Sequence, residues 1–288
     1  MRTPGNGPGP ARGAHVPEQK LNPVQGGPIW IDLSTHDLDG AQRFYSELLG
    51  WSFQDGGEEF GHYHTITHEE RAIGGAMSSL MGPDGPTEEP TGPTTWTVYL
   101  RTSDIAASVS RAESAGAQVL FPPMDVSDLG SMTVLSDPAG AAVGLWQPGT
   151  FDGIQAAAAP GLPCWFECMS TDYDASEAFY RDVLDWDIAR MGEDEAEQSE
   201  DAPSGVRYAT HGAGEAAAAG LCEAASFLPS GTPSYWRVYF GVEDVDAALL
   251  TATRLGGTVL DGPMDSPFGR LATVADPQGA SFQIIQAV

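Results

Sequence analysis

The chain is poor in cations, in cysteine and in long apolar runs, and each shortage removes a class of function. Lys and Arg number 13 against 40 Asp and Glu in 288 residues, a formal charge of −27. Phosphate backbones are gripped by basic faces, so nucleic acid is not an expected partner. An acidic surface favours solubility and steers cationic ligands inward. The three cysteines, Cys164, Cys168 and Cys222, make no disulfide framework and point to the reducing cytoplasm. A zinc site built on them needs a fourth ligand. No run of about 18 apolar residues occurs, so no membrane span is expected. The first 27 residues lack the apolar centre of a secretory signal, and their Gly and Pro content reads as a disordered tail. A G-x-S-x-G nucleophile elbow is also missing.

What the chain does contain is a repeat. PIWIDLSTHDLDGAQRFYSELLGW at 28–51 aligns without a gap with PCWFECMSTDYDASEAFYRDVLDW at 163–186. Trp30 matches Trp165, Asp37 matches Asp172, Phe44-Tyr45 match Phe179-Tyr180, and Trp51 matches Trp186. Such self-similarity decides the architecture. Within it Ile31 and Leu33 alternate with Trp30, Asp32 and Ser34, the period of a strand with two different faces. Asp37 stands where a helix N-cap is wanted. Leu38, Ala41, Tyr45 and Leu48 then recur at helical spacing, and Gly50 suits a C-cap.

Further on, WSFQD and FGHYHTITH read as a hairpin around Gly56-Gly57, followed by the strand RAIGGAMSSL and the Pro- and Gly-dense stretch MGPDGPTEEPTGPT. A second strand–helix unit begins at TTWTVYLRT, capped by Asp104, with three strands after its helix. The second half repeats this course, with an acidic insertion, GEDEAEQSEDAPSG, read as a solvated loop. The expected fold class is α+β, four βαβββ modules in two near-equal halves.

The order strand–Asp–helix with Phe-Tyr, then W-x-V-Y, P-M-D and D-P-x-G, resembles the vicinal oxygen chelate superfamily of glyoxalases, extradiol dioxygenases and bleomycin- and fosfomycin-resistance proteins. The resemblance covers about 28–287 and occurs twice. It is nearest to two-domain actinobacterial proteins of glyoxalase-like or hydroxylase type, some of which accompany aromatic polyketide biosynthesis. It implies two cup-shaped glyoxalase-like domains over 28–148 and 163–288, a tail over 1–27 and a linker over 149–162. Metal-dependent members carry a His seven residues before each module's capping Asp and a Glu seven residues after the Asp of D-P-x-G. Here those positions hold Trp30, Thr97 and Gly144 in the first half and Trp165, Arg237 and Gln283 in the second. The remaining position falls near Ser78 and Glu223. None of the six is a usual ligand of a divalent ion, so no metal and no other cofactor is expected.

If these positions face the cup, so do their i±2 neighbours. Cup one then presents Trp30, Asp32, Thr97, Tyr99 and Trp146, and cup two Trp165, Glu167, Arg237, Tyr239 and Gln283. Each has aromatic stacking area and an acid; Asp32 and Glu167 are the candidate bases, and an Arg237–Glu167 ion pair is the structural alternative in cup two. These same side chains also suit a plain core. His62 and His64 have H-x-H metal spacing, set against an exposed hairpin, and Gly74-Gly75 suits close backbone approach. Two functions remain open. One is a metal-free binder of an aromatic, amphipathic or cationic small molecule, a resistance or biosynthetic accessory factor. The other is an enzyme: a lyase, a dioxygenase, or a metal-free isomerase, cyclase or hydroxylase component. A homodimer is compatible with either.

Overall fold

The computed structural model describes residues 24–82, 85–191 and 206–286. Its first half runs β1 (Pro28–Thr35), α1 (Leu38–Leu49), β2 (Ser52–Asp55), β3 (His64–His68), β4 (Arg71–Ser78), a small hairpin of β5 (Met81–Gly82) and β6 (Gly85–Pro86), β7 (Thr95–Arg101), α2 (Ile105–Ser114), β8 (Gln118–Val126), β9 (Gly130–Ser136) and β10 (Ala142–Pro148). The second runs β11 (Pro163–Ser170), α3 (Tyr173–Leu184), β12 (Ile188–Arg190), β13 (Tyr208–His211), β14 (Gly220–Glu223), β15 (Tyr235–Gly241), α4 (Val245–Arg254), β16 (Thr258–Ser266), β17 (Gly269–Ala275) and β18 (Ser281–Gln286).

Each half forms one eight-stranded sheet, ordered β2-β3-β4-β1-β7-β10-β9-β8 and β12-β13-β14-β11-β15-β18-β17-β16. Two βαβββ modules meet in each sheet along an antiparallel seam, β1 with β7 and β11 with β15. The repeat read from the sequence therefore places Trp30 and Trp165 on equivalent strands. Local chemistry sets the module boundaries as expected. The Asp37 carboxylate accepts from the Gly40 N–H at 2.9 Å, and Gly50 closes α1 at φ 75°, a conformation that costs glycine little. Ile31 and Leu33 are fully buried beneath the helices, while Trp30 and Asp32 point to the opposite face.

The two halves share one core. Phe240 packs edge-on against Trp51 and Trp96, and Phe44 meets Phe282. The segment 149–162 is more than a connector: Ile154, Ala156, Ala157 and Leu162 are buried. Gly161 N–H donates to Gly241 O at 2.8 Å, and the Trp51 indole donates to Gly161 O at 2.6 Å. Residues 24–27, read from sequence as tail, do the equivalent on the other side. Gly26 N–H donates to Arg101 O, and the Trp186 indole donates to Gly26 O at 2.9 Å. Each half is thus clamped at its entrance by a tryptophan of the other. The rest of the tail and the acidic insertion at 192–205 lie outside the described residues.

Candidate ligand-binding cups

Register decides which side chains share the concave face, because residues paired across neighbouring strands point the same way. Trp30 pairs with Tyr99 and Asp32 with Thr97. Tyr99 pairs with Gly144, and Trp146, two residues on, pairs with Met132. All five residues expected in cup one therefore lie on one face. The same ladder continues to the sheet edge, where Phe121 pairs with Val134 and Met124 with Met132. Phe121 and Met124 are 41% and 43% exposed, which makes the β8–β9 arm of cup one an open apolar wall.

At the floor of cup one Asp32 is buried. Its Oδ1 accepts from the Trp30 indole at 3.0 Å and from the Tyr63 hydroxyl at 2.5 Å. The Trp30 N–H also reaches the Tyr63 oxygen at 2.8 Å. Burial pushes the Asp32 carboxyl above its usual range, and hydrogen bonds from Tyr63, Tyr99 and Trp30 oppose this. Burial and the neighbouring Asp32 charge push Tyr63 and Tyr99 well up, so both remain protonated donors. Gly75 makes this arrangement possible, since a Cβ there would overlap the Tyr63 hydroxyl and meet Asp32 Oδ1. Trp30 is not a bare wall. Phe151, from the segment after β10, packs edge-on against it with ring centroids 4.9 Å apart and against Trp146 at 6.1 Å.

Cup two repeats the plan with different chemistry. Trp165 pairs with Tyr239, Glu167 with Arg237, and Tyr239 with Gln283. The five expected residues again share a face. Glu167 Oε2 accepts from Arg237 Nε at 2.9 Å and from its terminal nitrogen at 2.5 Å, and from the Tyr239 hydroxyl at 3.0 Å. The structural ion pair weighed from the sequence is present. Tyr208 is the counterpart of Tyr63, taking the Trp165 indole N–H at 3.2 Å. Gly220 leaves its space, as Gly75 does for Tyr63. On the outer arm Asp261 pairs with Thr273 and Met264 with Leu271, a more polar wall than that of cup one.

Sequence reasoning missed Tyr63, Tyr208 and Phe151, and with them the wall formed by Phe121, Met124, Met132 and Val134. A signal existed for the tyrosines, since Tyr-x-Thr recurs at 63–65 and 208–210. The expectation that His62 and His64 share a strand is corrected. His62 does not share a strand face with His64: β3 begins at His64, and His62 sits in a left-handed turn at φ 57°, bonded to Asp55 at 3.0 Å. His211 is a buried ring stacked on Trp186 at 5.2 Å. The three cysteines are free thiols.

The chain belongs to the glyoxalase/bleomycin resistance protein/dioxygenase superfamily, whose family model matches residues 27–145, while the glyoxalase-like domain model matches residues 165–285. It is 35% identical over 267 residues to CFP32 of Mycobacterium tuberculosis, which bears a provisional glyoxylase name, covering 91% of this chain and 95% of CFP32. It is 33% identical over 270 residues to the anthracycline biosynthesis protein DnrV of Streptomyces peucetius, covering 91% of this chain and 93% of DnrV. Among solved structures it resembles the 2,3-dioxygenase LapB from Pseudomonas sp. KL28, with a TM-score of 0.58, 14% identity and coverage of 91% and 93%. The Mn(II)-bound glyoxalase from Novosphingobium aromaticivorans gives a TM-score of 0.55 at 14% identity, with coverage of 92% and 84%. These structural likenesses concern the fold alone.

The metal positions of the superfamily can be located by register. Asp32 pairs with Gly75 as Tyr99 pairs with Gly144, and Glu167 with Gly220 as Tyr239 with Gln283. The last-strand positions of the first modules are therefore Gly75 and Gly220, not the neighbourhood of Ser78 and Glu223. Glu223 is instead bonded to Arg207 at 2.8 Å. The positions read Trp30, Gly75, Thr97 and Gly144 in one cup, and Trp165, Gly220, Arg237 and Gln283 in the other. A Cβ on Gly144 would run into the Tyr99 ring. These residues do not fit a divalent cation, which needs several oxygen or nitrogen donors together. Among the described residues no group of three His, Cys, Asp or Glu side chains converges.

Proposed function

We propose that the chain is a metal-independent small-molecule-binding protein whose cup one takes a planar aromatic natural product of polyketide type. The observation that carries this reading is the apolar wall of Phe121, Met124, Met132 and Val134, in register with Gly144 and Trp146, of which Phe121 and Met124 are exposed on the edge strand. Concave apolar faces with a few convergent polar groups are the usual form of small-molecule sites. Asp32 supplies the polar group, contacting a hydroxyl or cationic substituent of the ligand. The formal charge of −27 favours the approach of cations. DnrV and its relative DauV are named for anthracycline biosynthesis, and anthracyclines are planar, hydroxylated aromatics. The role that follows is that of a resistance or biosynthetic accessory factor.

The test is a tryptophan-fluorescence titration with a panel of neutral and cationic polycyclic aromatics. Met124→Glu places a charge on the wall and weakens binding by about tenfold or more, 1.4 kcal/mol per factor of ten. Phe268→Ser, at an exposed turn of the other half, leaves binding unchanged. Wild type that binds no member of the panel, or Met124→Glu that binds as tightly as wild type, defeats the proposal.

A further inference from the structure

A half-buried phenylalanine occupies the concave face of cup one. Phe151 lies in the segment that leaves β10 at Pro148 and reaches the start of β1, where the Ile154 N–H donates to Ile29 O at 2.9 Å. Its ring packs edge-on against Trp30, with centroids 4.9 Å apart, and against Trp146 at 6.1 Å. Both indoles are nearly sealed, at 7% and 8% exposure. The segment that carries the ring is pinned on both flanks. The Gly149 and Phe151 N–H groups donate to Leu129 O, and the Thr150 N–H and hydroxyl both donate to Asp128 O. The Trp146 indole donates to Phe151 O at 3.2 Å. A Cβ at Gly149 would run into Asp128 O, and one at Gly153 into Ile29 O. Cup two does without such a cover. Trp165, the counterpart of Trp30, is only half-buried, and among the described residues no ring packs against it. The fold therefore does not require an aromatic ring at this place, yet cup one holds one there rigidly.

We infer that Phe151 is a specificity-determining residue that sets how far an aromatic ligand reaches into cup one. The inference rests on the binding reading above, and it concerns the ligand's length. A ring system lying along the wall of Phe121, Met124, Met132 and Val134 ends against Phe151. The Trp30 and Trp146 faces behind that ring stay covered. Removing the ring uncovers them. A longer ligand then gains stacking area on the two indoles, while a shorter one that already ends at the stop gains little. Apolar pockets select through depth in this way, with one methylene more or less worth about 10–200-fold in discrimination.

The experiment is a calorimetric titration with 2-naphthylmethylamine and 2-anthracenylmethylamine, aromatic cations that differ by one linear ring. The readout is the ratio of their affinities, because a general loosening of the cup changes both alike. In Phe151→Ala the ratio moves toward the three-ring amine by about tenfold, the low end of pocket-depth discrimination. Phe151→Leu keeps an apolar side chain without the ring and moves the ratio the same way by a smaller factor, about threefold. Urea midpoints establish that the variants are folded, and Phe151→Leu decides if Phe151→Ala is not. Wild type that binds either amine, with the ratio unchanged in the folded variants, overturns the inference and leaves the binding reading standing. A ratio that moves toward the two-ring amine overturns it as well. If neither wild type nor any folded variant binds either amine, both readings fail for this class of ligand.

Discussion

The Tyr45 hydroxyl donates to the Asp276 carboxylate at 3.0 Å across 231 residues of sequence, and Tyr180 donates to Asp137 at 2.9 Å. Each Phe-Tyr helix is thereby tied to the D-P-x-G turn of the other half. The tyrosine oxygens in turn accept from the indoles of Trp96 at 3.0 Å and Trp236 at 2.7 Å. Motifs that mark the superfamily locally are here the joint between halves. Tyr45→Phe strands the Trp96 N–H and removes a donor from a buried carboxylate. Its expected cost is about 1.5–3 kcal/mol, the range for hydrogen bonds to charged groups. Urea denaturation of wild type should be a single transition, and the variant should show a lower midpoint. An unchanged midpoint would dispose of the joint.

Gly75→Ala is expected to expel Tyr63 from Asp32, because the new methyl occupies the place of the hydroxyl. Overpacking of this kind costs about 1–3 kcal/mol. Gly220→Ala should behave in the same way through Tyr208. The pairing of Gly75→Ala with Tyr63→Ala checks the mechanism: with the tyrosine gone, the added methyl should be far better tolerated. Equal losses in both backgrounds would point elsewhere.

The Arg237–Glu167 pair gives a third test. Arg237→Ala leaves a buried carboxylate without its cation, and breaking such pairs costs about 3–5 kcal/mol. The double variant Arg237→Met with Glu167→Gln removes both charges and should recover most of that loss in thermal denaturation. No recovery would mean that Arg237 acts through packing alone.

Burial holds the His68 imidazole below its ordinary value of 6.5, and its Nδ1 is buried without a partner. The fold therefore favours neutral His68. The unfolded chain takes up a proton first as pH falls, so this contribution is complete above about pH 6.5 and is lost as pH drops through the folded-state value. Asp32, Asp137 and Asp276, raised by burial, work in the opposite sense, so the effect is read as a difference. His68→Gln should lose less stability than wild type on acidification below that point. Parallel pH profiles for the two proteins would contradict the assignment.

The modules, their helix caps and the two-faced strands were legible in the sequence by itself. They rest on local rules: a period of two in PIWIDLST, Asp before a helix, Gly after it, and the repetition of all three. The face shared by Trp30, Asp32, Thr97, Tyr99 and Trp146 followed from that alternation only together with the cup-facing positions that the superfamily resemblance implies. Tertiary structure alone decided what fills the cups. That Phe151 lies against Trp30, that Tyr63 completes the Asp32 site, and that Phe121 and Met124 face inward depend on register and on chain segments remote from one another. A β-bulge between Phe121 and Met124 resets the alternation there, and a count along the strand cannot detect it. The exchange of Tyr45 and Tyr180 between halves was equally invisible, because a hydroxyl finds its acceptor through packing in three dimensions and leaves no period in the sequence.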